Sequence, residues 1–187
     1  MKVFINPGHD VDYDSGACNA DGTRECDIAA AIGSKVKSYL EAAGCECEIM
    51  QSDNLAPTPS GRSSYADRQG ATVTETANAD GADIFVSIHC NAANSQAQGT
   101  EVEIYQAGTQ SELLAHCIQD QIVNSLGTVD RGVKEMPQLL VLKYTDMPAV
   151  LVETAFIDND DDCALLKDRT DDFAAAIARG VTDYEQA

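Results

Sequence analysis

Two hydrophobic periods take turns along this chain. Lys2 to Pro7 (KVFINP) is a compact apolar run of strand character. From Glu25 to Ala43 the apolar positions Ile28, Ala29, Ile32, Val36, Tyr39 and Leu40 recur at helical spacing, and Gly44 follows as a stop. Strand character resumes at Cys45 to Met50. Leu55 to Ser64 is a Pro/Ser/Gly-rich loop, and a mostly polar helix is predicted after it, ending near Asp80. Asp83 to His89 (DIFVSIH) reads as a strand buried on both faces. Gly99 to Tyr105 (GTEVEIY) alternates like a strand with one wetter face, and Ser111 to Leu126 is an amphipathic helix. Leu139 to Lys143 (LLVLK) and Pro148 to Thr154 (PAVLVET) read as two further strands, and the last helix spans Asp171 to Tyr184.

Strands separated by helices need crossover connections. The pattern therefore predicts one α/β domain over residues 1–187, with a mostly parallel central sheet and helices on both faces. In such sheets ligands bind beyond the carboxyl ends of the strands. Polar residues that directly follow apolar strands are then the candidates for chemistry. His9 follows the first strand, His89 ends DIFVSIH, and Glu153 ends the PAVLV run. Glu25 opens the helix after the first strand, which puts it near the same rim.

Two imidazoles and a carboxylate are a standard ligand set for a catalytic zinc with one position open to water. A second carboxylate beside that water is what a hydrolase needs to move protons. Spacing alone leaves open which of Glu25 and Glu153 is the ligand. Asp10, Asp12 and Asp14 are further candidate ligands, although clustered acids in a turn are more often solvated.

Composition narrows the classes. With 44% apolar and 23% charged residues the chain is an ordinary globular one, long enough at 187 residues to bury a core. No apolar run approaches the roughly 18 residues of a membrane helix. A net charge of −19 with only 12 Lys and Arg, none in a run, excludes nucleic acid and disfavours anionic membranes. The acidic run Asp158 to Asp162 (DNDDD) reads as a solvated loop, since a calcium loop would want Gly and Glu at set positions. Seven scattered cysteines without a C-x-x-C pair make a poor disulfide framework and point to synthesis in a reducing compartment. Cys45 and Cys47 fall on one strand face as buried small hydrophobes. The N-terminus lacks an apolar signal region. The expectation is a protein made in the cytoplasm and released, as a phage or prophage lysin is, or a fragment of a secreted protein.

Several stretches, in order, carry a resemblance: INPGHD with DSGA, Glu25 opening the first helix, ANADGADIFVSIHCNA, GTEVEIY, DRGVKE and MPAVLVETAFIDNDDD. Together they resemble the zinc-dependent N-acetylmuramoyl-L-alanine amidases of the amidase 3 family. These cut peptidoglycan between the lactyl group of muramic acid and the first alanine of the stem peptide. The resemblance implies His9, Glu25 and His89 as ligands of a single Zn2+ and Glu153 as the catalytic carboxylate. It sets Arg131 and Gly132 in a loop near the substrate cleft. Arg131 and Asn91 are the candidate substrate-binding residues, with Asn91 and Asn78 otherwise holding loop backbone. It also implies action at the bacterial cell wall. An anionic wall would repel this chain, so targeting falls to a separate wall-binding domain or partner.

The chain departs from the family pattern at Asp10 and Val11, where a second glycine is usual, and between Arg68 and Asn78, which looks longer than usual. Both lie on the cleft rim, expected to comprise Asp10 to Asp21, Asn91 to Gln98 and Asp130 to Pro137, and bear on substrate preference more than on the metal. His116 lies mid-helix and reads as structural or solvated. Cys90 should face away from whatever His89 binds, because neighbours on a strand point to opposite faces. Two rivals remain: a zinc carboxypeptidase or peptidase acting on another amide, and an inactive wall-binding module.

Overall fold

The computed structural model describes residues 1–63 and 70–187. Arg68, which begins the stretch read as longer than usual, lies outside the described residues. The apolar runs form six strands: β1 (Lys2–Pro7), β2 (Glu46–Ile49), β3 (Ile84–Asn91), β4 (Thr100–Ile104), β5 (Asp130–Glu135) and β6 (Ala149–Phe156). They make one sheet in the order β2-β1-β3-β6-β4-β5. All pairings are parallel except β4 with β6. The helices are α1 (Glu25–Ala42), α2 (Val73–Asp80), α3 (Gln110–Leu126), α4 (Leu140–Lys143), α5 (Asp160–Asp168) and α6 (Thr170–Glu185).

The two faces of the sheet are covered unequally, and this places the site. On one face Val3, Ile5, Val86, Ile88, Val102, Val150 and Val152 pack under Ile32 of α1, Ile118 of α3 and Ile177 of α6. On the other, Phe4, Phe85 and Leu151 pack under Val73 and Ala77 of α2 and Val141 and Leu142 of α4. Side chains on a strand repeat with period two. Continuing along that second face, Phe4 gives way to Asn6, Phe85 to Ser87 and His89, and Leu151 to Glu153. The apolar half sits under the short helices, and the polar half carries the chemistry. Asn6 and Ser87 at the boundary are buried and satisfied, the Ser87 hydroxyl donating to Asn6 Oδ1 at 2.9 Å.

The structure corrects the sequence reading in four places. Leu139 to Lys143 is not a strand: Leu140–Lys143 is the one-turn helix α4, whose Val141 and Leu142 close the second face. A short apolar run does not distinguish the two, and tertiary packing decides. The edge beside β4 is taken instead by Asp130–Glu135, expected as a rim loop but paired with β4 as β5. β4 itself has no wet face, since all five of its residues are buried, Glu101 and Glu103 among them. The run at 158–162 is not a solvated loop. Asn159 caps α5 by accepting from the amides of Asp161 and Asp162, and buried Asp162 accepts from those of Gly99 and Phe156, both at 2.9 Å.

Candidate metal centre

His9, Glu25 and His89 come together although 80 residues of chain separate the first from the last. His9 stands beyond β1, separated from it by Gly8, with φ of 62°, a left-handed conformation uncommon for a non-glycine residue. Glu25 is the first residue of α1, and His89 lies near the end of β3. Each offers a ligand atom, and these atoms all lie within 4.8 Å of one another. His9 Nε2 is 3.0 Å from Glu25 Oε2, and His89 Nδ1 is 2.9 Å from Glu25 Oε1. The two rings meet edge to face with centroids 5.0 Å apart.

The shell around them is equally specific. Asp14 Oδ2 lies 2.7 Å from His9 Nδ1 and so leaves Nε2 to face Glu25. That carboxylate–histidine pairing is the usual way a ligand ring is oriented. Asp14 itself is held by a small closed turn: the amides and carbonyls of Asp10 and Asp14 bond reciprocally, and Asp10 Oδ1 accepts from the amides of Asp12 and Tyr13. Glu25 further accepts from the amides of Ala17 and Cys90. Glycine is required at two points. A Cβ on Gly8 would fall 2.2 Å from the His89 ring, and one on Gly16 would fall 2.5 Å from the His9 ring and 2.6 Å from Glu25 Oε2. Cys90 turns away, with Sγ 3.5 Å from the Thr154 hydroxyl in the core.

The charges are those of a cation site holding protons. Burial works against ionisation of Glu25, but hydrogen bonds from His89 and His9 outweigh it and hold the carboxyl well below its usual range. Burial likewise opposes the charge on His9, and Glu25 and Asp14 overcome it, raising the ring to about 9. Two imidazoles, a carboxylate and small neighbours fit a zinc ion with an open position, and no soft thiolate competes there.

Across the sheet the pairing continues the row. His89 on β3 is in register with Glu153 on β6, and Glu153 with Glu101 on β4. Glu153 Oε2 is buried with no hydrogen-bond partner among the described residues. Burial first, then the nearby Glu25, Glu103 and Glu101 carboxylates, push its acid strength well down, so that it holds a proton far above the ordinary glutamate range. Among the described residues the side-chain bonds of Asn91 and Arg131 on this face bypass Glu153. Both go to Glu101, Asn91 Nδ2 donating to Oε1 at 3.0 Å and Arg131 Nε to Oε2 at 2.6 Å. Lys134, a residue the sequence did not single out, also bonds Glu101 Oε2. Burial opposes ionisation of Glu101, and Lys134 and Arg131 reverse that, holding it below its usual value. Asn78 does hold loop backbone, bonding the Tyr144 carbonyl and the Asp146 amide. His116 is exposed on α3, and the seven cysteines are free.

Residues 3–183 match the Amidase_3 family, N-acetylmuramoyl-L-alanine amidase. The chain belongs to this family. It is similar to the N-acetylmuramoyl-L-alanine amidase LytC of Bacillus subtilis (strain 168), 38% identical over 97% of this chain and 35% of that protein. It is also similar to an endolysin of Bacillus phage SPP1, 37% identical over 95% of this chain and 62% of the endolysin. It thus spans about a third of LytC and under two thirds of the endolysin. Among solved structures, the amidase AmiC2 of Nostoc punctiforme superposes with a TM-score of 0.83 at 30% identity, covering 100% of this chain and 98% of that one. The mostly parallel α/β fold is therefore the amidase fold, and the His-Glu-His group lies within the matched region. No helix among the described residues is long and apolar enough to cross a membrane.

Proposed function

We propose that residues 1–187 form the catalytic domain of a peptidoglycan amidase that hydrolyses the bond between the lactyl group of N-acetylmuramic acid and the L-alanine of the stem peptide. His9, Glu25 and His89 hold a single zinc ion. The observation that carries this reading is the row His89–Glu153, a candidate ligand beside a buried carboxyl of raised proton affinity, in a chain of the amidase family.

Zinc bound at the three ligands would polarise the lactyl carbonyl and lower the pKa of a water beside it. The rest falls to the chain's own side chains. Asp14 fixes the His9 ring, and the Ala17 and Cys90 amides fix Glu25. With a cation's charge at the neighbouring ligands Glu153 would ionise, and the carboxylate then takes a proton from the attacking water as the water oxygen bonds to the lactyl carbon. It then gives that proton to the alanine nitrogen as the carbon–nitrogen bond breaks, leaving a lactyl carboxylate and a free amine. A carboxyl with raised proton affinity suits the second half of this cycle, where an acid must protonate a leaving nitrogen.

The site of action is the bacterial cell wall, as the wall-directed names of the relatives support, and the partner is peptidoglycan. With a net charge of −19 the domain gains nothing from an anionic wall, so a separate wall-binding module supplies targeting. Digestion of purified peptidoglycan tests the reading. Stem peptides with a new alanine amino terminus and intact glycan strands are expected, and the activity should vanish with a chelator and return with zinc. New reducing sugar ends, or amino groups released within the stem, would overturn it.

A further inference from the structure

The cleft face carries a pair of cations that regular strand geometry would not put together. Arg131 and Lys134 are three residues apart on β5, and an odd separation on a regular strand sends side chains to opposite faces. Here the pairing slips: Thr100 opposes Asp130 and Val102 opposes Val133, so one extra β5 residue is accommodated beside Glu101. Gly132 supplies the turn, with φ of 76° and its amide bonded to Asp130 Oδ1 at 2.9 Å. This β-bulge brings both cations to Glu101 Oε2. Arg131 is further pinned with its guanidinium 4.7 Å from the Phe156 ring centroid. Both cations are partly exposed and bond one carboxylate, Glu101, while Glu103, in register with Lys134, has its carboxyl pushed up to about 7 by burial and the Glu101 charge. In a chain of net charge −19 this is a pair of adjacent cations with exposed donors, one register step beyond Glu153.

We propose that Lys134 and Arg131 form a specificity wall that binds a carboxylate of the stem peptide, and so lay the peptide over β4 and β5 with the glycan on the opposite side. The inference rests on the amidase reading above. Near the scissile bond, the glycan side of the substrate offers neutral acetamido and hydroxyl groups. The stem side offers the free carboxylate of the residue that follows alanine, or a carboxamide where that group is amidated. Two peptide residues span roughly 7 Å, and Glu101 lies two strand spacings, roughly 10 Å, from His89. The long Lys and Arg side chains close the remaining gap. Lys134 has spare ammonium donors beyond its bond to Glu101.

The test compares two muramyl dipeptides with zinc-loaded protein, one ending in a free carboxylate on the residue after alanine and one in the carboxamide. Wild type should show kcat/KM roughly tenfold or more higher for the carboxylate, the range of one charge-assisted hydrogen bond. The ratio should fall as salt is added, because the wall is partly exposed. Lys134→Met should bring the ratio close to one through KM, and Lys134→Arg should retain the preference. Equal wild-type rates on the two substrates would overturn the wall and leave the amidase standing, with no reliance on any variant folding. A ratio unchanged in Lys134→Met would overturn it as well. Failure to cut either dipeptide, where whole peptidoglycan is cut, would show that the pair reads something other than this carboxylate. Failure on all three substrates would remove the amidase reading and the wall together.

Discussion

Replacing Glu153 by Gln should make the protein inactive and more stable at once. The structure sets both directions. Glu153 is a buried carboxyl whose Oε2 finds no partner among the described residues, and burial together with Glu25, Glu103 and Glu101 raises its proton affinity. At pH 4 and below the group is protonated in folded and unfolded chains alike and costs nothing. As the pH rises past the ordinary value of 4.5, the unfolded chain releases the proton and the folded chain keeps it. The folded state then loses up to about 1.4 kcal/mol for each pH unit. Gln has the same shape and no charge, so the variant escapes this cost. For a chain of this size about 1 kcal/mol moves Tm by 2–4 °C. The gap between variant and wild type should therefore open by up to roughly 3–6 °C per pH unit from pH 5 upward and close at pH 4. The measurement is a pH series of thermal melts on chelator-treated protein, so that bound zinc does not offset the carboxylates. Turnover of the zinc-loaded variant should fall roughly 10²-fold or more with zinc content unchanged. A variant that melts lower than wild type at pH 7, or that loses zinc with its activity, would refute the reasoning and recast Glu153 as a structural or ligating group.

Two further outcomes follow from the shell. Asp14→Ala frees the His9 ring to rotate, so zinc affinity measured by competition with a chromogenic chelator should weaken roughly 10–100-fold while the melt of the metal-free protein changes little; unchanged affinity would mean that the closed turn orients His9 without its carboxylate. Gly16→Ala sets a Cβ against both His9 and Glu25 at a residue with φ of 64°, and zinc content by mass spectrometry of the intact protein should fall well below one per chain; full occupancy would show that the turn can yield.

The periodic pattern determined five of the six strands and the long helices, because each buries one continuous apolar stripe and that stripe is written locally. It also determined where chemistry could sit. His9, His89 and Glu153 are polar residues directly after apolar runs, and in a crossover sheet such positions share one rim. Tertiary structure decided what local pattern leaves undetermined. LLVLK has no period long enough to tell strand from helix, and it became α4 because the second face needed a lid. DRGVKE has almost no apolar content, and it became β5 because β4 had an open edge and a glycine allowed the bulge. The partners of Asp14, Asn91, Arg131 and Lys134 were set the same way. A charged side chain states its charge in the sequence, but its partner is chosen by which strands lie side by side, and that is a property of the assembled sheet alone.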